Sequence, residues 1–173
     1  PSLGGVCLNV GCIPSKTLLH VSKVIGEVRD LADYGIYYES NHIDLVKLNS
    51  KKRSVISQLS TGLAGLAKQR KIELITGHGQ FTGANTLNVN SNQAPDIEVQ
   101  FKNAIISTGS RSIGLPDIPD DSRIVDSTGA LALNDIPERL LIVGGGIIGL
   151  EMASVYAELG SRVTIVELAS DLM

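Results

Sequence analysis

The sequence predicts an α/β fold, and three observations carry that prediction. Apolar residues spaced by three and four give way to period-two segments and then return, so helices and strands share the chain. A G-x-G-x-x-G run, Gly144, Gly146 and Gly149, stands between a strand-like apolar segment and a helical one. Eighteen glycines, no tryptophan and two phenylalanines among 173 residues describe a turn-rich chain whose core is built from Leu, Ile and Val.

After Pro14, the residues Leu18, Val21, Ile25, Val28 and Ala32 share one helical face that ends near Gly35, which predicts a helix over 14–33. Asp44 is placed to cap a second helix, where Leu48, Val55, Leu59, Leu63 and Leu66 carry the period to residue 69 beneath a basic and polar outer face. The period then falls to two. Ile72–Thr76, Thr86–Asn90 and Ile97–Phe101 are expected as short strands, with a turn over Ser91–Asp96. Asn103–Ser107 reads as a continuous apolar strand that opens into Thr108, Gly109 and Ser110. Residues 109–123, with three Asp, two Pro and two Gly, form a surface connection, and Asp126–Leu133 leads toward a second unit with a boundary near Pro137. Beyond it, Leu140–Val143 is a strand, Gly144–Gly146 a turn, Ile147–Leu159 a helix stopped by Gly160, and Val163–Val166 a strand ending at Glu167.

Composition narrows the partners. Lys and Arg number 15 against 18 Asp and Glu, a net charge of -3 without a basic block, which excludes the electrostatic footprint of a nucleic-acid or membrane-surface binder. No apolar run approaches the roughly eighteen residues of a transmembrane helix. Small metabolites are the expected ligands. Two cysteines cannot frame a disulfide-rich domain and no signal peptide opens the chain, so a reducing, cytoplasmic setting is expected. The chain opens Pro1-Ser2-Leu3 and stops at Met173 just after a strand, which predicts a fragment.

The glycine run has a specific physical use. Its first glycine permits a sharp turn, its second lets backbone approach a pyrophosphate, and the following helix start presents free N–H groups to it. Glu167, at the end of the second strand, is placed to accept hydrogen bonds from a ribose diol, and its charge would repel a 2′-phosphate. The next residues, Leu168, Ala169 and Ser170, include no Arg, so the reading is NAD rather than NADP. The alternative is a glycine-rich turn used only for packing.

Cys7 and Cys12 are separated by Leu8-Asn9-Val10-Gly11. Residues five apart on a regular helix have Cα atoms roughly 8 to 9 Å apart, beyond the ~7 Å limit for a disulfide, so joining them needs an irregular turn. Asn9 and Gly11 tolerate the backbone angles such a turn requires. So small a loop constrains little of the unfolded chain, which favours a redox role over a stapling one. Cys12, just ahead of a helix and one turn from Lys16, is expected to favour thiolate. Spacing alone leaves open two ordinary reduced cysteines, or two ligands of an incomplete metal site.

The run GGVCLNVGCIPSK, residues 4–16, resembles the redox-active disulfide signature of the flavin-dependent pyridine nucleotide-disulfide oxidoreductases, most closely that of the members oxidising dihydrolipoamide. Ile13 and the Pro14-Ser15-Lys16 ending suit those members better than the glutathione reductases, which usually carry Lys where Ser15 stands. Val6 replaces a frequent Thr. TGHGQFTGANTL (76–87), STGS (107–110), DSTGAL (126–131) and ERLLIVGGGIIGLEMASVYAELGS (138–161) resemble further family segments in the same order.

The resemblance implies an FAD/NAD(P)-linked reductase with two dinucleotide-binding domains, both truncated. Residues 1–137 would be an FAD domain without its own glycine motif, and residues 138–173 the first strand-helix-strand of an NAD domain. It implies that Cys7 is the interchange thiol, that Cys12 is the charge-transfer thiol beneath the flavin, and that Lys16 near the flavin pairs with Glu151. It implies FAD contacts from Gly4, Gly5, Lys16, Gly79, Thr108, Gly109 and Ser110, and NAD contacts from Gly144, Gly145, Gly146, Ile147, Ile148, Gly149 and Glu167. No metal site is assigned, and His20, His42 and His78 match no catalytic position. The implied activity is NAD-dependent oxidation of dihydrolipoamide by a homodimer serving the lipoyl groups of 2-oxo acid dehydrogenase complexes. The segment alone is expected not to turn over, because the FAD glycine motif and the C-terminal interface domain lie outside it. Two alternatives stand beside this reading: another disulfide reductase, of the mercuric or glutathione type, and a non-catalytic binding module.

Overall fold

The computed structural model describes residues 2–38, 42–91 and 94–173. A short helix α1 (Gly5–Val10) runs into α2 (Cys12–Asp30), with only Gly11 between them. A 3-10 turn (Leu31–Tyr34) ends at Gly35, whose left-handed φ of 77° reverses the chain. Helix α3 (Leu45–Gln69) starts where expected, with the Asp44 carboxylate accepting from the Lys47 backbone N–H at 3.0 Å. An antiparallel meander follows, β1 (His78–Gly83), β2 (Thr86–Ser91) and β3 (Ala94–Gln100). The chain then forms α4 (Ser127–Ala132), β4 (Arg139–Val143), α5 (Ile147–Glu158) and β5 (Arg162–Val166). β4 and β5 pair in parallel, Arg139 opposite Arg162 through Val143 opposite Val166, with α5 as the crossover between them.

Two expected strands do not form. Ile72–Thr76 and Asn103–Ser107 lie outside every strand, and Ile105 is 93% exposed. A strand exists through its ladder of hydrogen bonds, and no neighbouring strand among the described residues flanks either segment. The apolar pattern is present without a partner to pair with. Of the expected turn over Ser91–Asp96, Ser91 belongs to β2 and the residues from Ala94 onward to β3, while residues 92 and 93 lie outside the described residues.

The core sits where the two ends of the chain meet. Leu18 from α2, Leu131 and Leu133 from the α4 region, and Met152, Val155, Tyr156 and Leu159 from α5 and its end form one buried cluster. Four of these, Met152, Val155, Tyr156 and Leu159, repeat at three- and four-residue steps, the stripe that an amphipathic helix turns inward. Leu140, Ile142 and Val163 of the parallel pair close the cluster from the sheet side. This core is continuous across Pro137, with members from both sides of the expected domain boundary.

Helix α4 is only six residues long, so the carbonyls of its last turn need partners from elsewhere. All four find them in side chains of other elements. Tyr156 Oη donates to Ala130 O at 2.9 Å, Lys52 Nζ donates to Leu131 O and, at 3.1 Å, to Ala132 O, and Asn49 Nδ2 donates to Leu133 O at 2.8 Å. Lys52 is 5% exposed, and burial pushes its ammonium below the usual lysine range. Lys52→Met keeps the apolar stem and removes both donors, leaving two carbonyls unpaired in the interior. It is expected to lower stability by about 1–3 kcal/mol in denaturant unfolding, whereas the same change at exposed Lys51 is expected to stay within about 0.5 kcal/mol.

Candidate redox and dinucleotide site

The two cysteines face each other across a break that the sequence dictates. Cys7 lies within α1 and Cys12 opens α2, while Gly11 between them adopts φ -138° and ψ -114°, outside helical geometry. The irregular turn demanded by the five-residue spacing is therefore present. Gly11 cannot be replaced cheaply, since a Cβ there would stand 3.0 Å from Val6 O and 3.1 Å from Cys7 Cα. At the head of α1, Gly4 holds φ 92° and Gly5 φ 60°, left-handed angles that favour glycine. Asn9 ties this segment together by donating to Gly5 O at 2.8 Å and Leu3 O at 3.1 Å.

Both thiols are free and exposed. They are also close enough to interact: a hydrogen bond with the Cys7 side chain is the largest influence raising the Cys12 thiol above its ordinary range. Desolvation and the Cys7 charge act in the same direction, while the Cys12 backbone hydrogen bond and the Lys16 charge pull it down without prevailing. In the reduced chain the Cys7 neighbour thus outweighs the Lys16 cation at Cys12. The reason is physical: a proton shared between two neighbouring sulfurs is harder to remove than one facing a cation alone.

Lys16 and Glu151 are brought together from positions 135 residues apart. Lys16 Nζ contacts Glu151 Oε1 at 2.5 Å, and the buried Ser15 hydroxyl donates to Glu151 Oε2. Desolvation alone would raise the Glu151 carboxyl, but the hydrogen bonds from Lys16 and Ser15 together with the Lys16 charge outweigh it and hold the group below its usual range. The Lys16 ammonium is raised, chiefly by its hydrogen bond to Glu151. A second tie between the same helices, Arg29 to Glu158, is bidentate at 3.0 and 3.1 Å. Sequence periodicity did not single out Ser15, Arg29 or Glu158; the spacing of Glu151 and Glu158, seven residues apart on one helix, was the available signal.

The glycine run joins β4 to α5. Gly144 holds φ 111° and donates its N–H to Val166 O at 2.8 Å, and Gly146 caps α5 with no side-chain partner for the helix's first N–H groups. A Cβ on Gly149 would lie 2.0 Å from Gly144 O, so only glycine permits the close approach of helix and loop. At Gly146 a Cβ would meet nothing within 4 Å, leaving open space at the helix start. Glu167 accepts from Gly145 N at 2.5 Å and Ala169 N at 2.8 Å. Those bonds, the one to Ala169 first, hold its carboxyl below the usual range. Leu172 rests against Gly145. Ile147 and Ile148, in the first turn of α5, are exposed. An exposed helix start, a cradle that excludes side chains and an ionised acid beside it fit a dinucleotide of the NAD type.

Other expected contacts lie apart from these two centres. Gly79 sits in β1, paired with Val89, and Thr108, Gly109 and Ser110 form an exposed irregular stretch in which Gly109 holds φ 83°. Among the described residues, no hydrogen bond or ion pair joins either segment to the cysteine helices, and no group of His, Cys, Asp and Glu is arranged to hold a metal ion.

Comparison with known proteins gives this arrangement a family. The pyridine nucleotide-disulphide oxidoreductase family matches over residues 2–173, and the chain belongs to it. It is 53% identical over 173 residues to a dihydrolipoyl dehydrogenase of Vibrio cholerae, covering 99% of this chain and 36% of that protein. With a dihydrolipoyl dehydrogenase of Haemophilus influenzae it shares 51% identity over 168 residues, covering 96% of this chain and 35% of that one. Among solved structures it resembles the HOCl-induced flavoprotein disulfide reductase RclA of Escherichia coli, with a TM-score of 0.76 and 34% identity over 98% of this chain and 35% of that one. The chain thus spans about a third of the length of the curated relatives it matches.

The thiol pairing makes a specific expectation. In the reduced chain, Cys7→Ala removes the hydrogen bond and charge that hold the Cys12 proton, leaving desolvation to oppose Lys16 and the Cys12 backbone hydrogen bond. The pH midpoint for alkylation of Cys12, followed by mass spectrometry, is expected to move to lower pH than in the parent. An unchanged midpoint would mean that the two sulfurs do not share a proton.

Proposed function

We propose that this chain is the disulfide-bearing part of a larger flavoprotein that oxidises dihydrolipoamide with NAD. The observation that carries the reading is the pair of facing thiols on either side of Gly11, one helical turn from a Lys16–Glu151 pair. Residues 1–137 would contribute to an FAD domain and 138–173 would begin an NAD domain, in a cytoplasmic homodimer acting on lipoyl groups of 2-oxo acid dehydrogenase complexes. Among the described residues, no helix is long and apolar enough to cross a membrane.

In this reading the oxidised protein holds Cys7 and Cys12 as a disulfide. A thiolate of dihydrolipoamide attacks the Cys7 sulfur, forming a mixed disulfide and releasing Cys12 as thiolate. The second substrate thiol, deprotonated, then attacks the substrate sulfur, closing the lipoamide ring and freeing Cys7. Two electrons have moved from substrate to the cysteine pair, and the protons of the substrate dithiol pass to the Cys7 thiolate and to solvent. Both sulfurs are exposed, and the resemblance gives Cys7 the exchange with substrate. FAD, when bound beside Cys12, would supply the two-electron step that restores the disulfide, with NAD as final acceptor. Lys16 would place a cation at the flavin, balanced by Glu151, and Gly4, Gly5, Gly79 and Thr108–Ser110 would let backbone approach it. Gly144–Gly149 would cradle the NAD pyrophosphate, and Glu167, kept ionised, would accept the ribose hydroxyls and repel a 2′-phosphate.

Steady-state kinetics on the full-length protein test the proposal. Dihydrolipoamide oxidation is expected to proceed with NAD in strong preference to NADP, and Cys7→Ser is expected to reduce it to background while leaving bound flavin in place. A preference for NADPH-driven reduction of a disulfide or metal ion would identify a reductase running in the opposite direction.

A further inference from the structure

The Glu151 carboxylate is held from two sides by donors of opposite character. Lys16 approaches on a long side chain that is 62% exposed, while Ser15 approaches on the shortest hydroxyl side chain from a residue only 4% exposed. Neighbouring positions on a helix point about 100° apart, so two consecutive residues can grip one carboxylate only by reaching it from different directions. An exposed ammonium is hydrated, screened by salt and free to change rotamer, so its hold on a carboxylate is weak and poorly directional. A buried hydroxyl has one short rotor, and its bond competes with little water.

The surroundings reinforce the asymmetry. Ser15 follows the fully buried Pro14, and its backbone N–H is bound to Gly11 O at 3.0 Å, so the Cα that carries the hydroxyl is fixed by the same turn that separates the cysteines. On the other helix, Glu151 is one residue before the buried Met152 and keeps only 15% of its side chain exposed. A carboxylate with so little solvent needs donors on both oxygens, and Ser15 takes the oxygen that Lys16 does not.

We infer that Ser15 is the positioning residue of this pair: its buried hydroxyl, rather than the exposed ammonium, fixes the Glu151 carboxylate on α5 and aims Oε1 at Lys16. Ser15 acts through Glu151 on the cation that faces Cys12. The inference stands on the geometry of this chain and is independent of flavin binding.

Its test is a titration of the Lys16 ammonium in the full-length protein, read from the ¹³C signal of reductively methylated lysines and assigned with Lys16→Arg. Glu151 raises the Lys16 midpoint, so Glu151→Gln is expected to lower it. Ser15→Ala, which removes a single oxygen, is expected to lower it in the same direction, and Ser15→Thr, which keeps the hydroxyl, to restore it. A Ser15→Ala protein whose Lys16 titrates as in the parent would overturn the inference, as would a loss that Thr and Ala share equally. A flavin spectrum indifferent to Lys16→Met, which removes the cation, would count against the proposed function and leave this result untouched.

Discussion

The packing of α2 against α5 is the contact on which the rest of the structure depends. Leu18 and Val155, at 1% and 0% exposure, belong to the one buried cluster that draws residues from both sides of Pro137. Around this apolar centre the polar contacts are local: Ser15 and Lys16 grip Glu151 toward the starts of the two helices, and Arg29 grips Glu158 toward their ends. The apolar cluster supplies most of the attraction, because exposed ion pairs contribute little by themselves. The directional bonds, Ser15 to Glu151 and the bidentate Arg29 to Glu158, instead fix which helix faces meet. Because Cys12 opens α2 and the glycine run opens α5, the same packing sets the cysteine turn and the dinucleotide cradle relative to each other.

The polar tie at Glu151 has a definite pH window. Its carboxyl lies below the ordinary glutamate range in the fold, so its contribution is present above the unfolded value and lost as pH falls through the lowered folded value. Lys16 lies above the ordinary lysine range, so its contribution is present below the unfolded value and lost as pH rises through the raised folded one. Between those limits both partners keep their charge, and the pair is neutral as a unit. At Cys12 the balance differs, because its hydrogen bond with the Cys7 side chain is the largest influence and the Lys16 charge a lesser one.

Local patterns in the sequence made much of this legible. The helical stripes through Leu18 and Leu48, the Asp44 cap, and the strand-glycine-helix-strand unit from 140 to 166 are found within three residues of their expected bounds. Each depends on interactions between residues close in sequence. The strands expected at Ile72–Thr76 and Asn103–Ser107 failed because pairing is not a local property: an apolar run becomes a strand only beside another strand. Short α1 was missed, since six residues are too few for a periodic stripe, and β1 carries Gly79 and Gly83 with no buried face to read. At the site, the spacing of Cys7 and Cys12 demanded an irregular turn, and Gly11 supplies it. The Lys16–Glu151 contact came only from family resemblance, and nothing short of the fold could bring Ser15 into it.

The account turns on two sulfurs that lie near enough to exchange a proton when reduced and to bond when oxidised, against a bound flavin. The most direct measurement is the absorption spectrum of the full-length protein at two-electron reduction. A long-wavelength thiolate-to-flavin band in the parent, absent in Cys12→Ser, is the predicted result; Cys7→Ser, which has no disulfide to reduce, is expected to show the band before any electrons are added, while its flavin is still oxidised. A flavin that is bleached by two electrons with no such band, while both cysteines remain oxidised, would contradict it.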